Sequence, residues 1–215
     1  MTTFEAITPL LDRLFADAET SDAALRARFA STPPAEIQAV MRSGDYRAMY
    51  TRLAGNYLAV SRETGALLYL LARTSRARHV VEFGTSFGIS TLHLAAAVRD
   101  NGGGRVVGSE FAATKVAQAR ANLAEGGLAD LVEIRDGDAL ETLATNLPSP
   151  IDLVLFDGAK PLYARILALV EPHLRPGALL VSDNVDDAPD YLARVRGPGF
   201  VSVPFADDVE VSMKL

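Results

Sequence analysis

Apolar positions along this chain follow two different rhythms, and the change between them falls near residue 79. Before it, Phe4, Ile7, Leu11 and Leu14 recur at helical spacing and make one stripe of an amphipathic helix. Pro33-Pro34 predicts the opening of another short helix, because proline is tolerated in a first turn. Leu67, Leu68, Leu70 and Leu71 belong to a helix that begins beyond residues 61–64 and ends near Arg76. After residue 79, short runs that are apolar throughout alternate with helical stretches. Strands are predicted at 80–83, 105–109, 131–135, 151–156 and 178–181, with helices at 89–98, 114–124, 163–170 and 189–196. Strands without polar alternation suit a parallel sheet buried on both faces, and the strand–helix alternation suits a doubly wound α/β fold. Two last strands, 200–203 and 209–213, are joined by a link too short for a helical crossover, which implies an antiparallel pair at the end of the sheet. The expectation is one domain over 1–215: a helical cap or lid region at 1–76, then a core at 77–215 with a mostly parallel, seven-stranded sheet.

Composition narrows the possibilities. With 215 residues, 49% hydrophobic and 22% charged, the chain can bury one sizeable core. The net charge of −6, with no stretch rich in Lys and Arg, argues against nucleic acid as a partner. The absence of cysteine excludes disulfides, thiolate nucleophiles and thiolate ligands, so any metal must be held by oxygen or imidazole. The N-terminus carries Glu5 and lacks a basic start, and no apolar stretch approaches the ~20 residues of a membrane helix. A soluble, cytoplasmic protein without a membrane partner is expected.

The chemistry lies at strand ends. Val80-Val81-Glu82-Phe83-Gly84-Thr85-Ser86-Phe87-Gly88 is a strand running into a glycine turn, and Glu110 ends the next strand. In such sheets ligands bind beyond the carboxyl ends of the strands. Gly84 and Gly88 allow a sharp turn, and a carboxylate at Glu110 can accept from two ribose hydroxyls. A dinucleotide fingerprint would need glycine where Ser86 stands. Glu82 before the turn would repel a pyrophosphate but suits an ammonium, so the charges favour S-adenosylmethionine. Asp138, before Ala139, can accept from an adenine amine or cap a helix. Farther on, Asp157, Asp183 and Asn184 end two later strands, a hard-oxygen set that suits Mg²⁺. Helix caps with a salt bridge from Lys160 are the plainer reading of those residues.

Together these motifs resemble the cation-dependent class I O-methyltransferases, the group of catechol and caffeoyl-coenzyme A O-methyltransferases, whose fold is Rossmann-like. The resemblance runs from Val60-Ser61 to the C-terminal strand. It implies that Val60, Ser61 and Ser90 contact the methionine portion of S-adenosylmethionine, with Glu82, Gly84 and Asp157 also at the cofactor. It implies Glu110 at the ribose and Asp138-Ala139 at the adenine. It further implies Mg²⁺, or Mn²⁺ or Ca²⁺, on Asp157, Asp183 and Asn184, with Lys160 as the catalytic lysine. A small hydroxylated acceptor and a homodimer are the implied partners. Val185-Asp186-Asp187-Ala188-Pro189 departs from the family's tryptophan-containing loop, which predicts a more open acceptor site or one closed by the N-terminal helices. A metal-independent methyltransferase and a non-catalytic cofactor-binding protein remain alternatives. His79, His93 and His173 form no ligand set and are read as packing or surface residues, whereas Tyr57, Tyr163 and Tyr191 fit either a pocket wall or the core.

Overall fold

The computed structural model describes residues 1–33, 36, 46–206 and 208–215. Pro34, half of the Pro33-Pro34 helix start, lies outside the described residues. Helix α1 (Thr3–Ser21) opens on a capping box in which Thr2 and Glu5 satisfy each other's amides. Its predicted stripe packs inward: Ile7, Leu11 and Leu14 are buried. Two helices escaped the sequence reading, α2 (Ala23–Ser31) and α3 (Tyr46–Arg52), and neither buries a residue fully, so neither carries a stripe to find. Helix α4 (Arg62–Thr74) follows.

The core then alternates β1 (His79–Phe83), α5 (Ile89–Asp100), β2 (Arg105–Glu110), α6 (Ala113–Glu125), β3 (Val132–Asp136), α7 (Ala139–Thr142), β4 (Ile151–Phe156), α8 (Tyr163–Val170), β5 (Leu174–Ser182) and α9 (Pro189–Val195). Strands β6 (Phe200–Phe205) and β7 (Val209–Lys214) complete a seven-stranded sheet of order β3-β2-β1-β4-β5-β7-β6. The first five strands in that order are parallel, and β7 is antiparallel to both of its neighbours. The expected antiparallel pair is present, and its second strand is the one inserted beside β5.

Alternate residues of the central strands serve two apolar layers. Val80, Val106, Leu153 and Leu155 pack with α1, α4, α5 and α6 on one face. Val81, Val107, Val154 and Phe156 pack with α7, α8 and α9 on the other. Strand β5 begins earlier than expected, because Leu174 already pairs with Ile151 and the Pro176-Gly177 turn is absorbed as a register shift. Among the described residues, helices α1 and α4 contribute to the core, and Tyr46 and Tyr50 of α3 line the cleft at the carboxyl ends of the strands. No helix among the described residues is long and apolar enough to cross a membrane.

The chain builds β1, β2 and β3 outward in one direction, then returns to lay β4 on the opposite side of β1. That reversal leaves a crevice at the carboxyl ends of β1 and β4, the position where doubly wound sheets bind ligands.

Candidate cofactor and catalytic site

The β1 turn is built on close backbone approach. Gly84 has φ +97°, and a Cβ there would lie 2.5 Å from the Asp157 carbonyl oxygen. Only glycine lets the β1 and β4 turns touch in this way. Glu82, fully buried, accepts hydroxyls from Thr85 (2.9 Å), Ser90 (2.7 Å) and Thr91 (2.5 Å). Burial pushes its carboxyl up and the hydroxyls oppose this. Glu82 thus has its oxygens engaged by three hydroxyls inside the fold. The cleft is lined by Thr85 and Ser90, and Glu82 stands behind them as their acceptor.

Glu110 lines the cleft at the tip of β2. One of its oxygens accepts the Ser86 amide at 2.7 Å and the other the Ala112 amide at 2.8 Å. The carboxylate is thus fixed in place, and each oxygen retains acceptor capacity for a ribose diol. Asp138 both caps α7, accepting the Leu140 amide at 2.9 Å, and lines the cleft beside Ala139. Its other oxygen accepts from Tyr46 Oη (2.8 Å) and Arg47 Nη2 (2.5 Å). Burial works to raise this carboxyl, but the hydrogen bonds and the guanidinium outweigh it and hold it below the usual range.

Further lining residues carried no signal in the sequence. Tyr46, Tyr50, Leu58, Phe111, Lys115 and Leu162 complete the walls. The cleft continues past Gly84 and Ser86 to Val60, Ile89 and Ser90. Asp22, buried between α1 and α2, accepts the amides of Tyr57 (2.9 Å) and Leu58 (2.8 Å) and so shapes this wall. The Ser61 hydroxyl accepts the Thr64 amide at 3.0 Å, capping α4, and the residue lines a crevice with Val60, Phe15 and Arg62.

Strand pairing brings the second group together. The Asp157 amide donates to the Phe83 carbonyl (2.8 Å) and the Asp183 amide to the Phe156 carbonyl (2.9 Å), which sets both side chains at adjoining strand ends. Tyr163 Oη lies 2.8 Å from the carbonyl oxygens of both Phe156 and Asp183, its single proton serving the two between them, and so ties these ends together from inside the core. Burial, with the Asp157 charge adding to it, pushes the Asp183 carboxyl up to about 8. Asp157 is raised too, first by burial, against the pull of Lys160. Lys160 Nζ lies 3.2 Å from Asp157 Oδ1. Burial works to lower its ammonium, but Tyr163, Asp157, Tyr50 and Asp183 prevail and hold it well above the usual lysine range.

Two carboxylates held this close disfavour each other's charge, and Lys160, 3.2 Å from Asp157, offsets only part of that repulsion. Asn184, in a left-handed conformation after Asp183, donates its Nδ2 to Asp208 at 2.8 Å. This leaves its side-chain carbonyl as the remaining hard-oxygen donor. Among the described residues no three His, Cys, Asp or Glu side chains converge as a metal group. The donor set fits a hard divalent cation. Lys160 also lines an adjoining crevice with Ala164, Asp187 and Tyr191, which abuts the cleft at the Asp157–Lys160 pair.

The other aromatic residues resolve simply. His93 is buried, with Nδ1 2.8 Å from the Ile89 carbonyl and its ring near Phe4 and Phe15. Tyr163 and Tyr191 belong to the core, and Tyr57 stacks on Phe87 with centroids 4.1 Å apart.

Residues 81–185 match a family described as a methyltransferase domain. A catechol O-methyltransferase from Mycobacterium tuberculosis is 37% identical over 178 residues, covering 79% of this chain and 76% of that protein. Among solved structures, a cofactor-bound protein from MTB is similar at 29% identity with a TM-score of 0.69, covering 90% of this chain and 95% of that one. An O-methyltransferase of tomaymycin synthesis from Streptomyces achromogenes, in complex with SAM, is similar at 27% identity and a TM-score of 0.66, covering 84% and 94%. With the cleft at the β1–β4 reversal and a relative matched across three quarters of its length, the chain belongs to the class I S-adenosylmethionine-dependent O-methyltransferases, in the company of the catechol O-methyltransferases.

Proposed function

We propose that this enzyme methylates a hydroxyl of a small acceptor carrying neighbouring hydroxyls, with a hard divalent cation, Mg²⁺ first, held by Asp157, Asp183 and Asn184. One observation carries the reading: the Asp157 and Asp183 carboxylates and the Lys160 ammonium meet where the cofactor cleft ends, with Asn184 next along the chain from Asp183. The name of the M. tuberculosis relative supports a catechol-type acceptor. A cation bound there would favour the ionised form of an acceptor hydroxyl, whose reference pKa as a phenol is ~10.

The chain's own residues do the rest. Glu110 holds the ribose, Asp138 and Ala139 meet the adenine, and Val60 with Ser90 meets the methionine portion. Lys160 in the protein alone is a cation paired to Asp157, so it acts as a base only once the neighbouring carboxylates are otherwise compensated. Its Nζ then receives the hydroxyl proton. Transfer joins a negative oxygen to a methyl on a positive sulfur and leaves both neutral, a change favoured where Tyr50 and Leu162 keep water out. Alignment of oxygen, methyl and sulfur supplies much of the rate.

The test is S-adenosylhomocysteine formation with catechols and trihydroxy aromatics, in Mg²⁺ and in chelator. Turnover that requires Mg²⁺ supports the proposal. Turnover indifferent to chelator overturns the cation and leaves the alternative favoured by the existing Asp157–Lys160 pair, a metal-independent methyltransferase. Donor binding without turnover on any acceptor would overturn the acceptor class.

A further inference from the structure

Lys115, on the first turns of α6, is the buried charge that the catalytic scheme leaves unused. It is 4% exposed, yet among the described residues no carboxylate lies within ion-pair distance of its Nζ. Its close polar partner is Ser86 Oγ at 3.2 Å, and the Phe87 ring centroid lies 5.6 Å away. The Ser86 hydroxyl spends its own proton on the Tyr57 carbonyl, so it can only accept from the ammonium. An ammonium has three N–H donors, and Ser86 takes one. Burying a cation with its donors unspent is costly, and such groups are retained where something else completes them. What adjoins Lys115 is the cofactor cleft, which it lines together with Ser86, Glu110 and Phe111.

Glu110 and Lys115 stand at the two ends of the same β2–α6 link. A ribose diol presents two hydroxyls, and each is both donor and acceptor. Glu110, pinned by the Ser86 and Ala112 amides, can only accept. The hydroxyl oxygens therefore need a donor, and Lys115 is the charged donor beside that carboxylate. We propose that Lys115 is a further cofactor-binding residue, its ammonium donating to a ribose hydroxyl of S-adenosylmethionine that Glu110 holds from the other side. Ser86 then acts as the hinge between the two, its amide on Glu110 and its hydroxyl on Lys115. The inference rests on the ribose reading of Glu110.

Calorimetry with S-adenosylhomocysteine and its 2′-deoxy and 3′-deoxy forms, on the full chain and on Lys115→Met and Lys115→Gln, tests it. Lys115→Met should weaken S-adenosylhomocysteine binding about tenfold, as loss of one hydrogen bond from a charged group does. The same substitution should cost less than about threefold against whichever deoxy ligand lacks the contacted hydroxyl, because the lost bond is absent there already. Lys115→Gln, which keeps a donor without the charge, should fall between and serves if the Met variant fails to fold. Unchanged affinity in both variants would overturn the proposal. So would an equal loss against all three ligands, which would mean that Lys115 acts only through the shape of the Ser86 turn. Failure of the native protein to bind S-adenosylhomocysteine would instead overturn the Glu110 reading on which the inference stands.

Discussion

Gly84 shows how much one residue can hold. Its left-handed backbone and the 2.5 Å gap to the Asp157 carbonyl leave no space for a methyl group. Gly84→Ala should destabilise by about 2 kcal/mol or more through strain and displaced β4 backbone, read by denaturant unfolding; a loss below ~0.5 kcal/mol would show that the turns need not touch. Lys160 is a test of chemistry rather than of fold. Lys160→Met should lower the rate of methyl transfer by ~10²–10⁴. Its affinity for S-adenosylhomocysteine should stay near native, because Lys160 does not line the cofactor cleft. A full-rate variant would remove Lys160 from proton transfer. Glu82, before the glycine turn, has its oxygens engaged by Thr85 three residues on and by Ser90 and Thr91 at the start of α5.

At the scale of elements, the end of the cleft at Val60 and Ser90 depends on a loop that no periodicity announces. Leu58 has φ +49°, and the Tyr57 and Leu58 amides both point at Asp22, at the α1–α2 junction. Burial works to raise the Asp22 carboxyl, but these bonds with Asn56 and Ser21 hold it low. Asp22→Ala would orphan two amides at a cost of about 1–3 kcal/mol, and the loosened wall should weaken S-adenosylhomocysteine binding several-fold. Thermal unfolding and calorimetry check the two effects separately; lost stability with native affinity would mean the loop holds its shape without Asp22. The link from Asp22 to the cleft spans more than thirty residues of chain, which explains why a local reading of either segment missed it.

For the whole molecule, the buried acids set a pH dependence. Asp183 titrates at about 8 when folded against an ordinary 3.8, so the folded state keeps a proton that the unfolded state has lost. Unfolding releases that proton between those values, and stability from this group falls as pH rises from about 4 to 8. His93 opposes the trend below neutrality, since burial lowers its imidazole and holds it neutral in the fold. The contribution of Asp183 is therefore read as the difference between the native protein and Asp183→Asn in unfolding temperature across that range. Added Mg²⁺ should stabilise more at pH ~8 than at pH ~5, because ligation needs the ionised carboxylate. A profile identical in the Asn variant would show that Asp183 does not titrate there, and no stabilisation by Mg²⁺ at either pH would count against the cation site.

The sequence by itself determined the alternation of strands and helices, the parallel core, the antiparallel end, and the glycine turn with its strand-end acids. Each is set by local pattern: apolar runs, turn residues and the position of carboxylates just past a strand. Tertiary structure alone decided that β7 inserts beside β5, that Ser61 caps a helix, and that Glu82 serves hydroxyls behind the cleft. It also decided that Tyr46, Tyr50 and Lys115 line the cleft. Those outcomes depend on which distant surfaces come into contact, and contact is fixed by packing two layers of helices on one sheet rather than by the spacing of residues along the chain.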